Sequence, residues 1–312
     1  VQPPPLTFAG ALSSWQFDPV PIALILLLGG WYLLRVRRYR RGGARWPGSR
    51  TLWFFLGLLV YALVTLSAIA VYDRVLFSAR ALQIVGLLMI VPQLFAHGLP
   101  LTLARDTASP AGRRIGSTVL HHRLTELITH PIVGLLVLLG LPIALYATGW
   151  YAASLTDSVI AELTRFALLA GGFHYFWTRL QRDPVPKPYA QYITTWLTFA
   201  DIILDAIVPL AMITMPGLVA EEYYTALGRD WGISLRMDQV TGAGLLWFLG
   251  DLAGLPFLLL SLQQLRRRDR ADTEAIDAEL DALEPEQRVA EGRVRPWWEE
   301  DESVAEHFGW RR

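Results

Sequence analysis

Residues 52–71 read LWFFLGLLVYALVTLSAIAV: twenty consecutive positions without a charge. About 20 apolar residues in a helix cross the roughly 30 Å hydrocarbon core of a bilayer. This stretch therefore predicts a membrane span, and the rest of the chain repeats the pattern. Comparable stretches lie at 19–34, 79–104, 131–151, 157–180, 189–212 and 237–265. In lipid every backbone polar group must be satisfied internally, so spans are helices or closed barrels. The runs are continuous and lack the period-two alternation of barrel strands, which selects helices. The fold expected is all-α: a polytopic integral membrane protein built as a seven-transmembrane helix bundle.

Composition agrees. Of 312 residues 53% are hydrophobic, the mean hydropathy is +0.34, and the 28 basic and 28 acidic residues are unevenly spread. Arginines cluster between the apolar runs. The first connection carries Arg35, Arg37, Arg38, Arg40, Arg41, Arg45 and Arg50, and the third Arg105, Arg113, Arg114 and Arg123. Arg179, Arg182 and Lys187 follow the fifth run, and Arg266, Arg267, Arg268 and Arg270 follow the seventh. The second connection has only Arg74 and Arg80, the fourth has no base, and the sixth offsets Arg229 and Arg236 with Glu221, Glu222 and Asp230. Basic connections face the cytoplasm. The alternation predicts an N-terminus outside, a C-terminus in the cytoplasm, and a multi-pass protein of a bacterial plasma membrane. The opening VQPPPLTFAG has no basic n-region and is not expected to act as a signal peptide.

Two domains are expected, a seven-span domain at 1–265 and a polar cytoplasmic tail at 266–312. Residues 113–129 read as one short amphipathic helix on the cytoplasmic surface. In the tail, Trp297 and Trp298 within RPWWEEDE mark either a solvated extension or a partner-docking segment, because paired tryptophans expose much apolar surface. The 213–236 connection, with Tyr223, Tyr224 and Trp231, reads as interfacial anchoring or as a partner-binding face.

Ionisable groups inside spans are costly and need a partner or a task. The candidate intramembrane polar network is Arg80, Gln83, Glu162, Arg165, Asp201, Asp205, Asp238 and Asp251. At 1.5 Å per residue, Arg165 and Asp205 both lie roughly 12–14 Å below the outer surface and are expected to pair. Arg80 and Asp238 lie near that surface and form the second expected pair. Such pairs either lock helices together or build a polar site or proton path.

Metal and catalytic chemistry have little support. The chain has no cysteine, and none of its six histidines pairs at i, i+4 within a span. Met212, Met215 and Met237 are the only metal candidates near the outer face, as soft thioethers for Cu(I). No nucleophile elbow, phosphate loop or zinc-protease motif is present, so a non-enzymatic role is expected. No nucleic-acid module is present either; the bases hug the lipid bilayer instead.

Ordered short segments carry a resemblance. They are Trp15-Gln16-Phe17-Asp18-Pro19; Leu76-Phe77-Ser78-Ala79 with Gln83; Pro92, Gly98 and Pro100; His130-Pro131; Asp183-Pro184-Val185-Pro186; and Asp238-Gln239 with Gly242, Trp247, Gly250 and Asp251. Over about residues 15–265 the chain resembles the membrane-embedded CtaG-type family of cytochrome c oxidase assembly factors. The resemblance implies a role in oxidase biogenesis in the respiratory chain, with oxidase subunits or another membrane complex as partners and copper-centre maturation as the chemistry. It also implies histidines where this chain has Arg80, Ile84 and Arg165, and often one on the sixth span, where Asp201 and Asp205 stand. Arginine is permanently charged and ligates no metal. An ion-pair network in place of the copper site, and a metal-free accessory or scaffold protein, is therefore the alternative expectation. A transporter site lined by Arg80, Glu162, Arg165 and Asp205 is a third.

Overall fold

The computed structural model describes residues 3–187, 189 and 191–290. Every regular element among them is helical. The chain divides into two units, Val1–Ser261 and Leu262–Arg312. Trp297 and Trp298 lie outside the described residues.

The first helices show how the sequence sets element ends. After a short α1 (Phe8–Ser13), Asp18 starts α2 (Pro19–Arg41) by accepting the Val20 amide at 3.1 Å, and proline fills the first helical position. Proline there loses no bond, because that amide would lack a partner anyway. α3 (Gly48–Leu66) continues almost directly into α4 (Ala68–Tyr72), with the Ser67 side chain capping the join. The chain then returns through α5 (Phe77–Val85), a π-helical turn (Gly86–Ile90), α6 (Val91–His97) and α7 (Pro100–Asp106). Two short helices follow, α8 (Pro110–Leu120) and α9 (Arg123–Ile128). The single helix expected over 113–129 is thus broken at His121–His122, where the His122 ring accepts the Leu124 amide and starts a new helix.

Next come α10 (Pro131–Ala147), α11 (Trp150–Thr156) and α12 (Ser158–Leu180). α13 (Gln191–Leu204) and α14 (Ile207–Thr214) are separated by a break at Asp205–Ala206. α15 (Glu221–Ala226) lies in the following connection, and α16 runs over Leu235–Ala290.

Among the described residues four stretches are long and apolar enough to cross a membrane: Pro19–Arg41, Gly48–Tyr72, Phe77–Asp106 and Thr195–Thr214. A fifth is added if Pro131–Ala147 and Trp150–Thr156, which meet at a 72° bend, form one span. Of the remaining stretches read from sequence, α12 is interrupted by Glu162, Arg165 and His174.

The apolar part of Phe77–Asp106 is 72% buried and forms the centre of unit 1, whereas that of Pro19–Arg41 is 22% buried and lies at its edge. Close backbone approach holds the centre together. A side chain at Gly172 of α12 would place its Cβ 2.0 Å from the Leu88 carbonyl of the π turn. A Cβ at Gly242 of α16 would stand 2.5 Å from the Phe77 ring. Small residues of this kind let helices pack where no hydrophobic force drives them together.

At the arginine-rich end, the Tyr32 hydroxyl donates to the Gly98 carbonyl at 2.7 Å and accepts from the Trp46 indole at 3.2 Å. Asp183, in the connection after α12, accepts from the Thr102 amide at 2.7 Å, the Thr102 hydroxyl at 2.6 Å and the Leu101 amide at 3.3 Å. Burial pushes its carboxyl above the usual range, and these bonds oppose the shift.

Candidate functional site

The polar site lies at the opposite end, where α2 and α5 begin. Arg80 of α5 is 1% exposed. It donates to Asp73 Oδ2 at 2.9 Å, Gln83 Oε1 at 3.0 Å and the Ser154 hydroxyl of α11 at 2.9 Å. Gln83 donates in turn to the Val64 carbonyl at 3.0 Å, which ties α5 to α3. Arg165 of α12 donates to Asp18 Oδ2 at 2.9 Å and Glu162 Oε1 at 2.6 Å, and its other terminal nitrogen stands 3.7 Å from Asp73 Oδ2. Asp73 therefore sits between two guanidinium groups. Asp18 serves twice, with one oxygen capping α2 and the other binding Arg165.

These residues border an open cleft of about 540 Å³ lined by Gln16, Asp18, Asp73, Arg74, Glu162 and Arg165. Its lining holds three acids, Asp18, Asp73 and Glu162, and two arginines, Arg74 and Arg165. Arg80, paired with Asp73 behind the lining, balances the third acid, so the cleft has no strong preference for either sign of ligand. It offers charge-assisted hydrogen bonds at fixed positions.

The network read from sequence divides into separate groups. Neither expected pair forms. Arg165 binds Asp18, Glu162 and Asp73 in place of Asp205, and Arg80 binds Asp73 in place of Asp238. The reason is local. Glu162 lies one helical turn from Arg165 on the same face. The short α4 and the turn after it bring Asp73 back over the start of α5. Asp238 is 1% exposed and is committed elsewhere: it accepts from the Phe77 amide (2.9 Å), the Ser78 amide (3.2 Å) and the Ser78 hydroxyl (2.6 Å). It thus caps α5 from α16, with Arg229 3.7 Å away.

Asp201, Asp205 and Asp251 lie apart from this end of unit 1. Asp201 accepts from the Tyr175 hydroxyl, and the Arg179 guanidinium lies 4.9 Å from the centre of the Tyr175 ring. Asp205 and Asp251 face one another within hydrogen-bonding reach.

Sequence reading missed Asp18, Asp73 and Ser154 as members of the site. Asp18 carried a signal, because aspartate directly before proline and an apolar run is a helix start. Asp73 stood outside the expected spans, and nothing local announced that its connection folds inward.

The donor set does not fit copper. Among the described residues no three His, Cys, Asp or Glu side chains gather closely enough to hold a metal. His97 and His174 contact backbone carbonyls at 2.8 and 2.9 Å. The candidate methionines do not share one environment, since Met212 is 2% and Met237 54% exposed. The positions where the resemblance implies histidine hold Arg80, Ile84 and Arg165.

Comparison with known proteins gives a consistent picture. The family model described as cytochrome c oxidase caa3 assembly factor matches residues 30–268. Uncharacterized proteins of Mycobacterium bovis and Mycobacterium tuberculosis are each 28% identical over 298 residues, covering 90% of this chain and 45% of their own length. An uncharacterized protein of Mycobacterium leprae is 25% identical over 274 residues, covering 86% of this chain and 42% of its own. The chain thus spans under half the length of these curated relatives. No solved structure matches it.

Proposed function

Because the chain belongs to the cytochrome c oxidase caa3 assembly factor family, we propose that it is a membrane-embedded, non-catalytic oxidase assembly factor that works by binding oxidase subunits and holds no copper itself. The observation that carries this reading is the Arg80–Asp73–Arg165 network. Two permanently charged groups, bound by Asp18, Asp73, Glu162 and Ser154, stand at positions where the resemblance implies histidine.

In this reading seven spans place the N-terminus outside, the C-terminus in the cytoplasm and the protein in the plasma membrane. The seven are α2, α3–α4, α5–α7, α10 with α11, α12, α13–α14 and the first part of α16. Residues 1–265 form the span domain and 266–312 the tail. The alternation of arginine-rich connections supports this arrangement. The cleft then opens to the outside, where a subunit domain could meet Arg74 and the carboxylates beside it. The cytoplasmic tail offers Trp297 and Trp298 as a second contact.

Two measurements test the proposal together. The first is copper per chain on detergent-purified protein after Cu(I) loading, beside an Arg80→His/Ile84→His/Arg165→His variant. The second is oxidase activity in membranes of a strain lacking the gene. The expected results are no retained copper in the parent, and oxidase activity that falls without the gene and returns with the parent copy. One tightly held copper per parent chain would overturn the metal-free reading. Undiminished oxidase in the deletion strain would overturn the assembly role.

A further inference from the structure

A second cavity lies inside unit 1, away from the arginine cleft. It has a volume of about 70 Å³, and its wall includes Ile84, Leu88, Tyr146, Asp205, Leu246 and Gly250. That exceeds the roughly 10–15 Å³ needed to admit one water. Most of the wall is apolar. Three polar atoms at or beside it are buried without a hydrogen-bond partner: the Tyr146 hydroxyl, Asp205 Oδ1 and Asp251 Oδ1. Buried polar atoms are ordinarily satisfied, so the two neighbouring carboxylate oxygens call for an explanation; the Tyr146 hydroxyl belongs with Tyr151 and Arg80.

The backbone around this cavity is irregular on three sides. Leu88 belongs to the π turn, a feature that often marks functional positions. Pro142 lies inside α10 and also lines the wall. Asp205 itself occupies the break between α13 and α14.

The charges decide what the site can hold. Asp205 and Asp251 lie within hydrogen-bonding reach of each other, and among the described residues no ion pair neutralises either. The surrounding elements add few ionisable groups. α13 contributes Asp201 and α12 contributes Tyr175 and Arg179, which are engaged with one another. α10 contributes Tyr146, and the lining residues of α5 and the π turn are apolar. Two adjacent carboxylates cannot both ionise cheaply in such a setting. A divalent cation would need six or more oxygens, and three unpaired ones are available. A proton between the two carboxyls needs only the pair itself.

We infer that Asp205 and Asp251 share one proton and, with water admitted to the cavity, form a proton-binding site between the α13–α14 break and α16. Loss of that proton leaves two negative charges between the α13–α14 break and α16. Occupancy of the site is thereby coupled to how these helices pack. The site is independent of the arginine cleft and of any role in oxidase assembly.

Infrared spectroscopy of the full chain in lipid nanodiscs near neutral pH tests the inference. The expected result is a protonated-carboxyl stretch that shifts in D2O. It is lost in both Asp205→Asn and Asp251→Asn, and survives in Asp201→Asn and Tyr146→Phe. These variants are near-isosteric, and Tyr146→Phe removes only an unpaired hydroxyl. Absence of the band in the parent overturns the proposal. So does its persistence in either Asp205→Asn or Asp251→Asn, or its loss in Asp201→Asn alone.

Discussion

Arg80 shows what one side chain contributes to the outer network. Its carboxylate partner Asp73 is buried to nearly the same degree, with side-chain exposures of 2% and 3%. Truncating one member of a buried pair typically costs about 3–5 kcal/mol. Asp73 keeps Arg165 at 3.7 Å, so the loss at Arg80 falls toward the lower end. Arg80→Ala is therefore expected to lower the thermal unfolding midpoint in detergent sharply. Arg80→Ala combined with Asp73→Asn should lose less than the two single changes summed, because the stranded charge is gone. An additive double variant would show that the pair is not coupled. Arg80 itself was legible in the sequence, since a base at a span end demands a partner. Its partner was not, because Asp73 lies beyond the span and reaches Arg80 only through the fold of α4 and the turn after it. Asp205 was misassigned for a related reason. Depth along two helices says how far each group lies from the surface, but not which way its helix is rotated.

Helices were the most legible level. The uncharged run at 52–71, Asp18-Pro19 and His130-Pro131 each set an element by themselves. The breaks were less visible. The π turn at Gly86–Ile90 and the 72° bend after Ala147 have no single-residue signature and arise from packing. Gly172 is where that packing is tightest, its missing Cβ being replaced by the Leu88 carbonyl. Gly172→Ala must push α12 away from the π turn or distort the turn. Overpacking of this kind costs about 1–3 kcal/mol. Gly140 has open space at its Cβ, so Gly140→Ala is the control and should leave stability unchanged or raise it slightly. Comparing the two midpoints in detergent checks the assignment. Equal midpoints would mean that α12 does not approach the turn so closely.

At the scale of the whole molecule the open matter is how often, and in which direction, the chain crosses the bilayer. Among the described residues, length and composition alone identify four or five candidate crossings. Charge supplies what hydropathy does not. Arg35 to Arg50, Arg105 to Arg123 and Arg179 to Lys187 alternate with connections poor in bases, and only seven crossings put all the rich ones on one side. The absence of cysteine makes this directly measurable, since any introduced thiol is the sole label site. Glu222 of α15, Arg45 and Arg114 of α8 are all exposed positions in three different connections. With seven spans and an external N-terminus, Glu222→Cys reacts with a membrane-impermeant maleimide in intact cells. Arg45→Cys and Arg114→Cys react only after permeabilisation. If α12 did not cross, the connections on its two sides would share one face of the membrane, and Glu222 would fall on the same side as Arg114. Labelling of Glu222→Cys and Arg114→Cys from the same side would thus remove a crossing between them and, with it, the outward-facing cleft on which docking of an oxidase subunit depends.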